Sequence, residues 1–302
     1  MEHKLVIVLG PTAVGKTSYA ISLAKQTGSP IINCDSRQIY KELNIGVARP
    51  SKEELSEVKH YFIATHSITK LYTAGQFELD ALELLDKLFK TSSTVVMCGG
   101  SGLYIDALCN GIDPFPPADL ELREKLNAQL ENQGLESLRY TLKKLDPASY
   151  DTIDIANPQR VIRAIEVTVQ TGKKFSEWKS GDSAASLAGK KREFEIVKIG
   201  LNRPREILYK RIDARVDKMM EDGLLEEVKG LDKFRYVNGE LRADLAHIPA
   251  LRTVGYRELF DYLDGKISLQ EAVNQIKLST RHYAKRQLTW WGRDKSIDWK
   301  ML

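Results

Sequence analysis

Gly10-Pro11-Thr12-Ala13-Val14-Gly15-Lys16-Thr17 is the stretch from which the rest of the chain can be read. It matches G-x-x-x-x-G-K-[ST] in full. The apolar run Leu5-Val6-Ile7-Val8-Leu9 before it reads as a buried strand, and the spacing over Lys16–Gln26 after it reads as a helix. In that context the glycines let the backbone wrap closely around phosphate oxygens, while N–H groups and the helix N-terminus supply positive potential. Lys16 adds a point charge for the terminal phosphate, and Thr17 offers a hydroxyl to Mg²⁺. The motif predicts a bound di- or triphosphate, with ATP as the default ligand.

Outward from this loop the pattern alternates. Pro30–Cys34 reads as a second buried strand, Phe77–Phe89 as a helix with apolar residues at Phe77, Ala81, Leu84, Leu85 and Leu88, and Thr94–Cys98 as a third strand closed by Gly99-Gly100. Alternation of this kind predicts an α/β fold, a P-loop NTPase-like parallel sheet flanked by helices. Asp113-Pro114-Phe115-Pro116-Pro117 then breaks the pattern, because three prolines in close succession continue neither a helix nor a central strand. Helical spacing follows. Asn157-Pro158 starts one helix as N-cap and first turn, carried through Ile162, Ile165 and Val169 and stopped at Gly172.

Ser180–Gly189 is small and polar and reads as a loop. Strand character returns at Phe194–Leu201, followed by one long helix from Pro204 to about Leu231 with Ile207, Leu208, Ile212, Val216 and Met219 on one face. Arg235–Leu245 reads as a turn-rich excursion and Ser268–Trp291 as a last long helix. The expected organisation is a core of residues 1–112 and 191–302, including the C-terminal helices, interrupted by a helical insert at 113–190.

Composition bounds the function. The 302 residues are 42% hydrophobic and 28% charged, as in a soluble globular protein, and no apolar run is long enough for a membrane span. The start of the chain reads as a strand rather than a signal peptide. Cys34, Cys98 and Cys109 form no C-x-x-C pair and have apolar neighbours, so we expect reduced, buried thiols and a cytoplasmic location. The net charge is +4, and residues 251–302 hold ten Lys/Arg against six Asp/Glu. A basic tail on a neutral body hints at a polyanionic partner, and equally suits an ordinary solvated surface.

Asp35 directly follows the second strand, and ligands of open parallel sheets sit at the carboxyl ends of strands. Its carboxylate can take a proton from an incoming nucleophile or hold metal-bound water; the alternative is a helix or turn cap. Many P-loop NTPases carry an acid at the end of another buried strand, as a Mg²⁺ ligand. Here Val95-Val96-Met97-Cys98 runs into Gly99-Gly100-Ser101-Gly102 without a carboxylate, which weakens an ATP-hydrolysing reading.

Several blocks together resemble one family. Gly10–Thr17, Asp35-Ser36-Arg37-Gln38-Ile39-Tyr40, Ile45-Gly46-Val47-Ala48-Arg49-Pro50 and Gly99-Gly100-Ser101-Gly102-Leu103-Tyr104 are similar to successive signatures of the tRNA dimethylallyltransferases, or isopentenyltransferases. So are Asn157-Pro158-Gln159-Arg160-Val161-Ile162-Arg163-Ala164-Ile165-Glu166-Val167, Thr253-Val254-Gly255-Tyr256-Arg257-Glu258 and Thr280-Arg281-His282-Tyr283-Ala284-Lys285-Arg286-Gln287-Leu288-Thr289-Trp290. The P-loop is generic and the other blocks are specific; they span nearly the whole chain in order. Val47 stands where the family usually has Thr, and Arg49 where it has Lys, which keeps the charge and changes the geometry.

The resemblance implies that dimethylallyl diphosphate occupies the P-loop and that no ATP is consumed. The acceptor it implies is the exocyclic amine of adenosine at tRNA position 37. It assigns Asp35 as general base, Ser101 near donor and adenine, and Arg215 on the diphosphate. It implies tRNA contacts by Asp35, Ser36, Arg37, Gln38 and Ser101, by Arg123, Gln159, Arg160, Val161, Ile162 and Arg163 in the insert, and by Arg252, Thr253, Val254, Gly255, Tyr256 and Arg257.

Physics adds expectations of its own. Adenine must leave the loop stack to reach a buried P-loop, so base extrusion is expected. Arg160 and Arg163, three apart on a helix, can face one side. Lys277, Arg281 and Lys285, four apart, form a basic stripe suited to RNA phosphates, while Trp290 and Trp291 read as core. A monomer is expected. The alternatives are an ATP-dependent small-molecule kinase, which would share the P-loop, the strand-end acid and an arginine-rich helix near Arg203–Arg215, and a non-catalytic RNA-binding protein.

Overall fold

The structure is a computed structural model that describes residues 3–112, 115–179, 191–242 and 248–302. Two compact units divide it: residues 1–109 with 192–302, and residues 110–191.

The first unit opens with β1 (Lys4–Leu9), α1 (Lys16–Thr27), β2 (Ile31–Asn33), α2 (Lys52–Glu57), β3 (His60–Tyr61), α3 (Ala74–Leu88), β4 (Thr94–Cys98) and α4 (Gly102–Asn110). The second unit holds α5 (Leu120–Leu145), α6 (Pro147–Thr152), α7 (Pro158–Thr171) and α8 (Phe175–Lys179). The chain then returns to the first unit with β5 (Glu195–Asn202), α9 (Arg205–Glu221), α10 (Leu224–Leu231), the short pair β6 (Tyr236–Val237) and β7 (Glu240–Leu241), α11 (Tyr256–Leu263), α12 (Leu269–Trp291) and β8 (Ile297–Met301).

Six strands form one parallel sheet in the order β3-β2-β4-β1-β5-β8. β1 is central, and its residues Leu5, Ile7, Val8 and Leu9 are fully buried, which is why the strand reads as an unbroken apolar run. Burying each such aliphatic side chain stabilises the fold by roughly 1.5–3 kcal/mol. Val8 and Val96 join Val14, Ala20, Ile21 and Ala24 of the loop and α1, together with Leu208 and Ile212 of α9, in one cluster. The chain leaves β1 toward β2 and β3 on one side and later adds β5 and β8 on the other. The carboxyl ends of β1, β2 and β4 therefore meet where the strand order reverses, the position at which open α/β sheets hold ligands.

In the second unit α7 is capped by the Asn157 side chain, which accepts from the N–H groups of Gln159 and Arg160, and ends at Gly172 in the left-handed region. Its core joins Val161, Ile162, Ala164, Ile165 and Val167 to Leu126, Leu138 and Leu142 of α5. Val169, expected on the apolar stripe, is exposed in the last turn, beyond that cluster.

The long helix expected from Pro204 to Leu231 is two helices. Gly223 takes φ 98° between α9 and α10, a left-handed turn that an α-helix cannot accommodate. Leu208, Ile212 and Val216 keep the buried face, while Ile207, one residue off that face, is exposed. The excursion near Arg235 contains the antiparallel pair β6–β7, and its end at 243–247 lies outside the described residues, as do 113–114 and the loop expected at Ser180–Gly189. Trp291 is core, as expected; Trp290 is partly buried against Gly102 and donates its indole N–H to Asp106 at 3.1 Å. All three cysteines are free. Among the described residues no helix is long and apolar enough to cross a membrane.

Candidate active site

The loop after β1 is held open by unusual backbone. Gly10 has φ 150°, and a Cβ there would lie 2.4 Å from the carbonyl oxygen of Leu201 on β5, so only glycine passes. Ala13 sits at φ 64° and Gly15, the N-cap of α1, at φ 111°. Strained backbone of this kind is concentrated at functional sites. Lys16 folds back over the loop, donating to the carbonyls of Gly10 and Pro11 at 2.9 Å each. Above it opens a cavity of about 310 Å³ lined by Thr12, Ala13, Gly15, Lys16, Thr17, Asp35 and Arg215 among others. The first N–H groups of α1 have no intrahelical partner, which makes this an anion cradle.

Three arginines brace the cradle. Arg203 donates to the Val14 carbonyl at 2.9 Å, Arg211 to that of Ala13 at 2.8 Å, and Arg215 to the Thr12 hydroxyl at 3.2 Å. The last two are one turn apart on α9, and α9 follows β5, the neighbour of β1. Cations crowded in a desolvated place lose proton affinity. Desolvation lowers the Lys16 ammonium to about 8, with Arg215 adding to the effect and Cys98 and Asp35 opposing it. Burial, and then Arg211, lowers Arg215 below the ordinary guanidinium range. A bound polyanion relieves both costs.

At the ends of β2 and β4 the structure combines the two readings of Asp35. One carboxylate oxygen accepts from the N–H of Arg37 at 2.8 Å and that of Gln38 at 3.3 Å, a turn cap. The other has no protein partner among the described residues, and Asp35 lines the cavity. Ser101 accepts from the Ser36 N–H at 2.9 Å and donates to the Ser36 hydroxyl at 3.1 Å, tying the two strand ends together. Gln38 donates to the carbonyls of Val47 and Ala48, and Arg49 to those of Tyr40, Lys41 and Leu43. Arg49 thus staples the loop that carries Val47.

A second cavity, also about 310 Å³, has apolar walls from Val47, Val216, Met219, Val254 and Ile276. It shares Thr12, Asp35, Val47, Ala48, Arg215 and Tyr283 with the first. The two spaces are therefore contiguous, and Asp35 stands where they meet.

The residues expected at tRNA divide by position. Ser36, Arg37, Arg252, Thr253, Val254 and Gly255 line the second cavity. Arg257 is exposed and paired with Glu258 at 2.6 Å. Tyr256 is fully buried and engages Glu227, so its side chain is not available to a partner. In the second unit Gln159 and Arg160 are exposed. Val161 and Ile162 are buried in its core and present nothing outward, because the helix that carries them must bury one face. Arg160 and Arg163 are engaged differently: Arg160 is exposed and lies 3.9 Å from Asp154. Arg163 turns to buried Glu166 at 3.0 Å and to the Pro116 carbonyl at 2.7 Å, and Arg123 meets the same carboxylate at 2.5 Å. The basic stripe on α12 is largely neutralised by α9. Lys277 pairs with Asp217 at 2.6 Å and Arg281 with both oxygens of Asp213; of the three, Lys285 has no ion-pair partner among the described residues.

Sequence reading missed four residues at the cradle: Arg203 and Arg211, noted only as part of an arginine-rich helix, and Tyr283 and Gln287 of α12. Gln287 is buried, accepts from the Thr12 N–H at 2.8 Å and donates to the Gly100 carbonyl at 2.9 Å. The signal was present as spacing: Ile276, Thr280, Tyr283 and Gln287 recur at helical intervals on one face.

This architecture defines a P-loop-fold protein whose anion cradle opens into an apolar chamber with one free carboxylate oxygen at the junction. Comparison with known proteins narrows the class. The family described as IPP transferase matches residues 38–294. A tRNA dimethylallyltransferase 2 of Azobacteroides pseudotrichonymphae is 47% identical over 297 residues, covering 98% of this chain and 91% of the relative. The tRNA dimethylallyltransferase of Cytophaga hutchinsonii is 45% identical over 295 residues, with the same coverage. The full-length tRNA isopentenylpyrophosphate transferase of Bacillus halodurans superposes with a TM-score of 0.68 at 32% identity, covering 99% of this chain and 90% of that one. A eukaryotic dimethylallyltransferase acting on tRNA superposes with a TM-score of 0.80 at 26% identity, covering 99% and 74%. The chain belongs to the IPP transferase family, the tRNA dimethylallyltransferases. It is accordingly a prenyltransferase, and the small-molecule kinase reading is set aside.

Proposed function

We propose that the protein transfers the dimethylallyl group of dimethylallyl diphosphate to the exocyclic amine of adenosine at tRNA position 37, releasing diphosphate. The observation that carries this reading is the sharing of Asp35, Thr12, Val47, Ala48, Arg215 and Tyr283 between a cationic cradle and an apolar chamber. A kinase needs a polar acceptor site. A prenyl donor needs a charged end beside a dry one.

The donor's diphosphate occupies the cradle, against the loop N–H groups, Lys16 and Arg215, and its five-carbon tail reaches toward the chamber. Donors aimed at a leaving oxygen stabilise it most where water is excluded. The adenine, extruded from its stack, enters the chamber from the side of Arg37 and Arg252–Gly255. Its amine is a poor nucleophile, since the lone pair is delocalised into the ring. The bond from carbon to the diphosphate oxygen breaks with its electron pair leaving on the diphosphate, the amine nitrogen bonds to that carbon, and the amine proton passes to the free oxygen of Asp35. A positioned base contributes ~10²–10⁴-fold. Ser101 acts by tying the Asp35–Ser36 turn to the end of β4.

Thr17 is the protein oxygen suited to Mg²⁺. It lines the cradle beside Lys16, and among the described residues no cluster of three His, Cys, Asp or Glu offers an all-protein cage. Mg²⁺ commonly takes one or two protein oxygens and completes its shell with phosphates and water, so this donor set fits an ion brought in with the diphosphate. When bound it neutralises charge on the leaving group. The tRNA-contact role of the second unit rests on its exposed Gln159 and Arg160, since Arg123 is held by Glu166, and the protein is read as a cytoplasmic monomer.

The test is to incubate the protein with dimethylallyl diphosphate, Mg²⁺ and unmodified tRNA, then digest the tRNA and weigh its nucleosides. One added five-carbon unit on adenosine, reduced by at least about a hundredfold in Asp35→Ala, is expected. Undiminished product from the variant would remove Asp35 as base. No product from the wild type would discard the reading.

A further inference from the structure

Glu227 lies on α10 and lines neither of these two cavities, yet its carboxylate is one of the most heavily engaged in the chain. It accepts from three consecutive backbone N–H groups, those of Asn44 at 3.2 Å, Ile45 at 2.7 Å and Gly46 at 3.3 Å. It also accepts from the Tyr256 hydroxyl at 2.5 Å. Successive N–H groups curled around one anion form a nest, and here the anion is supplied by a distant part of the chain.

The two segments it joins both line the apolar chamber. Gly46, Val47 and Ala48 form one; Arg252, Thr253, Val254 and Gly255, which immediately precede Tyr256, form the other. The first segment is also fastened by Gln38 and Arg49, and it meets the second where Gly46 packs against the Tyr256 ring; Glu227 hydrogen-bonds both sides of that contact. Burial and the neighbouring Glu227 carboxylate both push the Tyr256 phenol well above its ordinary range, which keeps the hydroxyl proton in place as a donor.

We propose that Glu227 is a positioning residue for the acceptor base: by tying the Asn44–Gly46 turn to Tyr256 it sets the width of the apolar chamber, and with it the distance of the incoming amine from Asp35. The assignment rests on the reading that the chamber takes adenine. Misplacement of a reacting group by about 1 Å costs on the order of 10²-fold in rate. Val47 and Ala48 line both spaces, but the groups that hold the diphosphate, on the Gly10–Thr17 loop and α9, are not hydrogen-bonded by the clamp.

The experiment is single-turnover prenylation of tRNA at saturating donor by the wild type, Glu227→Gln, Tyr256→Phe and the double variant, with the affinity of each for inorganic diphosphate and Mg²⁺ measured in parallel. Glu227→Gln is expected to slow transfer by about thirtyfold or more. Tyr256→Phe should slow it by several-fold, and the double variant should be no slower than Glu227→Gln, because both break one linkage. Diphosphate affinity should stay within about twofold throughout. Equal losses in transfer rate and diphosphate affinity would show general loosening and overturn the assignment, as would effects that multiply in the double variant. If Glu227→Gln does not fold, Tyr256→Phe decides alone: slower transfer with unchanged diphosphate affinity supports the clamp, and an unchanged rate sinks it. An inactive wild type would instead refute the underlying reading of the reaction.

Discussion

Gln287 holds the backbone N–H of Thr12 at 2.8 Å, and with its other amide atom holds the Gly100 carbonyl at 2.9 Å. One side chain of α12 thus fastens the phosphate loop to the turn after β4, across the mouth between the two strands. Both atoms of the amide are used in defined directions, so no other residue type of similar size reproduces the bridge.

Substitution at this bridge separates charge from shape. Gln287→Glu keeps the acceptor for Thr12, loses the donor to Gly100 and places a negative charge beside the anion cradle. Its affinity for inorganic diphosphate is expected to fall about ten- to a hundredfold by calorimetry, since a mispaired group next to a charged ligand costs roughly 1.5–3 kcal/mol. Gln287→Leu leaves the Thr12 N–H and the Gly100 carbonyl unpaired and should lower the melting temperature more than it lowers diphosphate affinity. Equal affinity for diphosphate in Gln287→Glu and the wild type would mean that the bridge stands apart from the site.

How much of this was legible beforehand follows from the range of each interaction. The P-loop turn, the apolar runs of the single strands and Asn157 capping α7 are set by neighbours within a few residues, and their patterns carry over into the structure; the pairing of those strands into one parallel sheet followed from their alternation with helices. The assignment of Asp35 to the cleft needed only the rule that ligands sit at strand ends. Gln287, Glu227 and Arg203 act on backbone far away in sequence, and an uncharged or acidic side chain on a helix carries no local mark of such a partner. The break at Gly223 was hidden because apolar spacing continues through Leu224, Val228 and Leu231 on the far side of the turn. Val161 and Ile162 show a different limit: resemblance marks a block, and only packing tells which of its residues face the core.

The low proton affinity of Lys16 yields a pH-dependent stability. Its ammonium is lowered from the ordinary 10.5 to about 8, chiefly by desolvation. Between these values the unfolded chain binds a proton that the folded chain has released, so this group adds stability as pH rises through that window. Below about 8 both forms are charged, and the folded state carries the full cost of the buried ammonium. Ligand-free Lys16→Met should therefore melt above the wild type at pH 7, and the gap should shrink as pH rises from about 8 to about 10. Inorganic diphosphate with Mg²⁺ should reverse the order, stabilising the wild type alone. A gap that does not change with pH would show that Lys16 is charged and well compensated in the empty cradle.

The cations of α12 make the last prediction, and here the ion pairs oppose the sequence expectation. Four-residue spacing puts Lys277, Arg281 and Lys285 on one face, but α9 sets Asp217 and Asp213 against the first two. A cation already paired has less to gain from a phosphate, because the pair must open first. Lys285→Ala should therefore flatten the salt dependence of tRNA binding by about one unit of log Kd against log salt, the share of one phosphate contact. Lys277→Ala and Arg281→Ala should leave that slope nearly unchanged and cost stability instead, by up to about 1 kcal/mol for partly exposed pairs. Measuring tRNA affinity from low to physiological salt for all three variants distinguishes the cases. A similar flattening in all three would mean that RNA takes the cations from α9, and that Asp213 and Asp217 serve as placeholders for phosphates; Asp213→Asn would then tighten binding rather than merely loosen the fold.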